Sequence, residues 1–294
     1  MRYFLPVLIA GLLAVSPGAA QEPAEPTVVF KSGVEQVAVA AVVRDSRGRL
    51  VKNLKASDFE LIDDGHRRPL SNVWSEASPA SVAILMDVSG SMASKLERAR
   101  ESANTLVAGL QPGVDEAAFY SFDTSLKEVR PFSTRFGTAG AWDSAKAYGA
   151  TSLWDAIGET AEKISDRQRR RALVVITDGV DSASRMKPSE VSAIASSLDV
   201  PVYMLIITFN GEDGRELEPV KGPLADLAAW TGGDSLYVRD TPTVAAATTH
   251  ILGELHHQYV IAFEPGKKPG WHPLIVRARN PGLFVRARSG YLVR

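Results

Sequence analysis

The chain has 294 residues, 45% hydrophobic and 23% charged, an ordinary globular composition with room for one large domain or two modest ones. A formal net charge of -1 creates no field favouring nucleic acid or an anionic membrane. The lack of cysteine excludes disulfides, thiol catalysis, zinc–thiolate sites and iron–sulfur clusters.

Residues 1–20 read as an export signal. Arg2 supplies a positive start, and Phe4 to Val15 an apolar stretch too short to span a bilayer comfortably. Ser16 to Ala20 supply small residues before a cut after Ala20. No later segment reaches spanning length, so the expectation is an exported protein, periplasmic or secreted, with no transmembrane span after cleavage. Residues 21–78 then read as β-only. A polar lead-in, Gln21 to Pro26, precedes the alternation Val37, Val39, Ala41, Val43 of a half-buried strand. Asp45-Ser46-Arg47-Gly48 is a turn, and Phe59–Ile62 is a second strand closed by the hairpin signal Asp63-Asp64-Gly65.

Residues 79–256 alternate strand and helix. Ser81–Met86 is nearly all apolar, as central parallel strands are. Leu96, Ala99, Ala103, Leu106, Val107 and Leu110 then share one helical face. Ala117–Phe122 and Leu126–Phe132 read as an antiparallel hairpin. A helix through Leu153, Ile157 and Ile164 leads to the buried strand Ala172–Thr177. A helix through Val191 and Leu198 leads to Val200–Ile207. Leu224–Trp230 is a short helix, Ser235–Val238 a strand, and Val244–Leu255 a closing helix. This pattern predicts an α/β fold with a doubly wound, mostly parallel, six-stranded Rossmann-like sheet. Residues 257–294 return to β, with strands Gln258–Phe263, Leu274–Arg279 and Leu283–Arg288, the last two joined by Asn280-Pro281-Gly282. Neither β-only stretch can bury a core alone. The two are expected to pair into a small β-sandwich into which the α/β segment is inserted.

The chemistry concentrates at strand ends. Asp87-Val88-Ser89-Gly90-Ser91 follows the first α/β strand, so a turn into a helix aims one carboxylate and two hydroxyls at one point. Asp178-Gly179 follows the fourth α/β strand. In the strand order 3-2-1-4-5-6 the first and fourth strands are neighbours at the switch point, where such sheets bind ligands. Gly149-Ala150-Thr151 can bring a third hydroxyl. An oxygen-only set of Asp87, Ser89, Ser91, Thr151 and Asp178 suits a hard divalent cation, Mg²⁺ first, with Mn²⁺ or Ca²⁺ as alternatives. Few carboxylates and several weak hydroxyl ligands leave the ion electrophilic, with a position for an incoming acid.

Each piece also has a plainer reading. Ser89, Ser91 and Thr151 could cap helices, and Asp178-Gly179 could be only a turn. Trp142 and Trp154 flank the Thr151 loop and could rim a binding surface, or Trp154 could pack as core. His256-His257 diverge as neighbours, and His66, His250 and His272 show no ligand-spaced partners. Arg167–Arg171 reads as a solvated run that could bind an anion. Arg277, Arg279, Arg286 and Arg288 alternate on two strands as a single basic face, which could dock an acidic partner or merely guard an edge.

The five site residues resemble the metal-ion-dependent adhesion site of the von Willebrand factor A family, whose pattern is Asp-x-Ser-x-Ser, then a Thr, then an Asp often followed by Gly. The resemblance covers residues 80–255. It implies that Ser89 and Ser91 ligate directly and Thr151 directly or through water, while Asp87 and Asp178 hold metal-bound waters. Asp123 matches a further family position and is given a structural role. Phe30–Val34, Leu54–Gly65, Leu255–Tyr259 and Gly282–Tyr291 are similar to the flanks of exported bacterial von Willebrand factor A-related proteins, frequent in Acidobacteria. What the resemblance implies is an adhesion module, not an enzyme, which captures an Asp or Glu carboxylate of a protein partner. Specificity would come from loops around Ser89–Met92, Thr124, Ala141–Thr151 and Asp181–Met186. Two alternatives stand beside it. A scaffold with a stabilising metal would favour a more carboxylate-rich cage. In a metal-dependent hydrolase of the haloacid-dehalogenase type, the second Asp is replaced here by Ser89, which removes the general acid. A serine hydrolase would need Gly-x-Ser-x-Gly, and Asp87 stands at its first glycine position.

Overall fold

The computed structural model describes residues 36–75, 78–137, 140–209 and 220–293. The export signal, the lead-in and Phe30–Val34 lie outside the described residues. In chain order the elements are β1 (Val37–Asp45), β2 (Phe59–Asp63), β3 (His66–Arg68), β4 (Leu70–Ser75), β5 (Ala80–Asp87), α1 (Leu96–Ala108), β6 (Glu116–Phe122), β7 (Leu126–Ser133), α2 (Leu153–Ile164) and β8 (Arg170–Thr177). They continue with α3 (Pro188–Ser197), β9 (Val202–Ile207), α4 (Pro223–Thr231), β10 (Ser235–Val238), α5 (Thr241–His256), β11 (Tyr259–Phe263), β12 (Gly270–Ala278), β13 (Leu283–Ala287) and β14 (Gly290–Val293).

The central sheet has the order β10-β9-β8-β5-β6-β7, parallel except for β7, which returns antiparallel to β6. Counted from β5, this is the expected 3-2-1-4-5-6 order. Every residue of β5 is buried, because helices cover both faces of the sheet. Period-two alternation sends Val82, Ile84 and Met86 into one core with Leu96, Ala103 and Leu106 of α1 and Ile251 of α5. Ala83 and Leu85 enter the opposite core with Leu153 and Ile157 of α2 and Val191 of α3. Each fully buried large aliphatic side chain contributes about 1.5–3 kcal/mol, so these two layers hold the switch-point strands rigidly.

The remaining strands make two antiparallel sheets, β13-β1-β11-β4 and β14-β12-β2-β3. They enclose a third core of Val39, Ala41, Val43, Tyr259, Ile261 and Phe263 against Phe59, Leu61, Leu274, Val276 and Tyr291. N- and C-terminal strands interleave: β1 pairs with β11 and β13, and β2 pairs with β12. The sandwich therefore closes only when the two ends of the chain meet. The β2–β3 hairpin turns on Asp64 (φ 46) and Gly65 (φ 78), the left-handed pair that a two-residue hairpin needs.

Strands β3, β4 and β14 escape the sequence pattern because they are short or half-exposed. β12 starts four residues before the expected Leu274, since Pro273 within it masks the run. The single arginine face is also corrected. Asn280-Pro281-Gly282 carries the chain from one sheet to the other, so β12 and β13 do not share a face. Arg277 is exposed beside Glu60, while Arg286 turns towards Glu254 and Asp234.

Candidate metal centre

Asp87 is the last residue of β5, and its carboxylate is buried. Its Oδ1 accepts from Ser89 N at 2.9 Å, and its Oδ2 accepts from Thr177 Oγ1, at the end of β8, at 2.6 Å. Burial pushes the Asp87 carboxyl up and the charge of Asp178 adds to this, against the hydrogen bonds from Ser89 and Thr177. Ser89 Oγ and Ser91 Oγ lie 3.2 Å apart. The motif turn is stitched to the next loop by Gly90 N donating to Gly149 O at 2.9 Å and Tyr148 N to Val88 O at 2.9 Å. This close approach needs glycine: a Cβ on Gly90 would stand 3.2 Å from Gly149 O, and Gly149 itself has φ 83.

Thr151 is buried between two anchored segments. Its N donates to Ser182 Oγ at 3.0 Å, its carbonyl accepts from Ser182 N and Ala183 N at 2.9 Å, and the next residue, Ser152, donates to Asp123 O at 2.7 Å. Asp123 organises its own loop, accepting from Ser125 N at 3.1 Å. Asp178 Oδ1 accepts from Val180 N at 3.2 Å, and Lys95 Nζ donates to Asp178 Oδ2 at 2.7 Å. The capping reading fails locally. α1 starts from Lys95 and α2 from Ser152, and Ser89, which precedes the 3₁₀ turn Gly90–Met92, makes no side-chain cap bond.

The structure thus gathers Asp87, Ser89, Ser91 and Asp178 at the carboxyl ends of β5 and β8, with the Thr151 loop tied to the same turn. Two carboxylates and three hydroxyls are a donor set without nitrogen or sulfur, which fits a hard divalent cation. Trp154 packs in the core, 7% exposed, and Trp142, 3% exposed, shows only an edge to the adjoining cleft. The exposed apolar side chains on the neighbouring loops are Tyr148 and Val180, 80% and 49% accessible. Neither shows any periodicity signal, and Lys95 reads in sequence only as the start of a helix. A cleft of about 470 Å³ adjoins the centre, lined among others by Val88, Asp123, Trp142 and Lys146.

The histidines serve elsewhere. His256 Nε2 lies 3.2 Å from Asp115, His257 Nδ1 bonds Gly253 O, and His66 Nδ1 bonds Asp64 O. His250 does have ligand-spaced partners, contrary to the sequence reading: ligand atoms of Asp234, His250 and Glu254 lie within 4.8 Å of one another. Two guanidiniums already saturate that cluster. Arg286 bonds both Asp234 and Glu254, and Arg44 Nη2 lies 2.8 Å from Glu254 Oε1. Fixed cations there make it an ion-pair network between α5 and the sandwich rather than a cation site. The Arg167–Arg171 run is likewise occupied, with Arg169 on Glu116, Arg171 on Asp199 and Arg167 over the Phe132 ring.

A doubly wound α/β domain with oxygen donors at its switch point is thereby defined. Residues 82–180 match the family model of the von Willebrand factor type A domain, so this part of the chain is a von Willebrand factor A domain. No curated protein matches it in sequence. Among solved structures, proximal thread matrix protein 1 from the mussel byssus is similar over 65% of this chain and 50% of that chain, at 14% identity and a TM-score of 0.50. A von Willebrand factor type A protein from Catenulispora acidiphila is similar over 90% and 76%, at 15% identity and a TM-score of 0.49. An aerotolerance-related membrane protein from Bacteroides fragilis is similar over 60% and 98%, at 20% identity and a TM-score of 0.48. At these identities the likeness concerns the fold.

Proposed function

We propose that this chain is an exported binding module, not an enzyme. In this reading Asp87, Ser89, Ser91, Thr151 and Asp178 hold a divalent cation, Mg²⁺ first and Mn²⁺ or Ca²⁺ as alternatives, and the ion captures an Asp or Glu carboxylate of a protein partner. The observation that carries it is the oxygen-donor turn at Asp87–Ser91 brought beside Asp178 at the switch point, with its serine hydroxyls free of capping duty. Ser89 and Ser91 would be direct ligands, and Asp87 and Asp178 would order water around the ion. The ion would supply Lewis acidity towards an incoming carboxylate. Tyr148 and Val180 would offer apolar contact around that polar anchor. Catalysis is disfavoured because each histidine is engaged elsewhere, so none stands beside Ser89 or Ser91 as a base.

Export rests on the reading of residues 1–20. Among the described residues no helix is long and apolar enough to cross a membrane. The test is a thermal melt of the purified protein in EDTA, Mg²⁺, Mn²⁺ and Ca²⁺, followed by metal-dependent capture of carboxylate-bearing peptides. A fold stable in EDTA, with capture only when an ion is present, supports the binding module. Global unfolding in EDTA would point to a stabilising ion, and equal capture in EDTA would end the metal reading.

A further inference from the structure

Lys95 and Asp178 form an ion pair of 2.7 Å in which the Asp178 side chain is only 2% exposed. It is not a surface pair of two freely hydrated groups. Lys95 immediately precedes α1, four residues beyond Ser91, and Asp178 directly follows β8. The ammonium therefore crosses the switch point and cancels one of the two carboxylate charges on which a cation would draw. Asp87, across the site, accepts from neutral donors, Ser89 N and Thr177 Oγ1.

We propose that Lys95 is a tethered counter-ion that competes with a divalent cation for Asp178 and so lowers the affinity of this site for its ion. The inference rests on the proposed metal centre and assigns Lys95 a role within it. An entering ion must either displace the ammonium from Asp178 Oδ2 or sit beside it. Both routes oppose binding, because like charges a few ångströms apart repel strongly where water is scarce. A carboxylate arriving from a partner would restore the negative charge that Lys95 cancels. A lysine that merely held Asp178 in position would have the opposite signature: its removal would loosen the ligand and weaken metal binding.

The experiment is a Mn²⁺ titration of the full chain, read by calorimetry and by the paramagnetic signal of free Mn²⁺, on wild type, Lys95→Met, Lys95→Gln and Lys95→Arg. Circular dichroism verifies the fold, and Lys95→Gln serves if the methionine variant does not fold. The expected result is tighter Mn²⁺ binding on the order of tenfold in the two neutral variants and no gain in Lys95→Arg. Uptake by a neutral variant where wild type takes up none is the same result in stronger form. Unchanged or weaker binding in both neutral variants, with wild type binding, overturns the role of Lys95 and leaves the metal centre standing. Failure of wild type and both neutral variants to bind removes the metal centre, and this inference with it.

Discussion

Thr177 Oγ1 donates to Asp87 Oδ2 at 2.6 Å, joining the carboxyl end of β8 to that of β5. The bond lies where the strand order reverses, between two strands whose apolar residues fill both cores. It orients the one carboxylate of the centre that is completely buried. Thr177→Val keeps the side-chain shape and removes the donor. A hydrogen bond to a charged acceptor contributes about 1.5–3 kcal/mol. The variant should therefore lose about 2 kcal/mol in urea unfolding and bind a divalent ion more weakly. Superimposable unfolding curves would show that the bond contributes nothing.

Asp178 lies in the same crevice, its side chain covered but without a place in either hydrophobic core. Asp178→Ala should abolish the metal-dependent rise in melting temperature while leaving the far-ultraviolet circular dichroism close to wild type. A collapsed spectrum would assign Asp178 to the fold instead.

The sandwich carries a pH-sensitive hub. His272 Nδ1 lies 2.9 Å from Asp63 Oδ1 and Nε2 2.7 Å from Lys268 O, two acceptors that a protonated ring satisfies together. The bond to the Lys268 carbonyl raises the His272 pKa above its ordinary 6.5, with burial opposing and Asp63 reinforcing. Burial opposes ionisation of Asp63, but hydrogen bonds from His272, Tyr291, Gly266 N and Arg68 hold its pKa below the ordinary 3.8. The His272 contribution is complete below pH 6.5 and is lost as pH rises through the elevated folded value. The Asp63 contribution is present above pH 3.8 and is lost as pH falls through the lowered one. Urea midpoints should fall from mildly acidic to alkaline pH in wild type, and less steeply in His272→Gln. Parallel profiles for the two proteins would contradict this.

Arg286 joins the last part of the chain to the α/β layer through Asp234 and the fully buried Glu254. Arg286→Met should destabilise by about 3 kcal/mol, the cost of leaving a buried charge short of its partner. Because the network lies away from Asp87, ion affinity in the folded fraction should not change. Calorimetric melting together with metal titration separates the two effects.

Much of the α/β layer was legible in the sequence. β5 and β8 carry short apolar runs, Val82–Met86 and Ala172–Ile176, and helices such as α2 repeat their apolar residues at the helical period. Those patterns follow directly from burial on two faces or one. Four of the candidate oxygen donors stand at or just beyond the ends of β5 and β8, which were visible, and Thr151 stands just before the visible start of α2. The sandwich was legible only in outline. Its short strands, Pro273 and the sheet change at Asn280-Pro281-Gly282 leave no periodic trace.

Local periodicity and turn chemistry by themselves determined the alternation of strand and helix and the clustering of Asp87, Ser89 and Ser91 in one turn, while the strand order 3-2-1-4-5-6 was an assumption that the packed sheet bears out. Long-range packing alone decided that Lys95 reaches Asp178, that Thr177 grips Asp87, that Trp142 and Trp154 are buried while Tyr148 is exposed, and that Arg286 faces Glu254. The physical reason is range. Periodicity reports which face of one element is buried, whereas an ion pair depends on where two separate elements end in space, and only the packed sheet sets that distance.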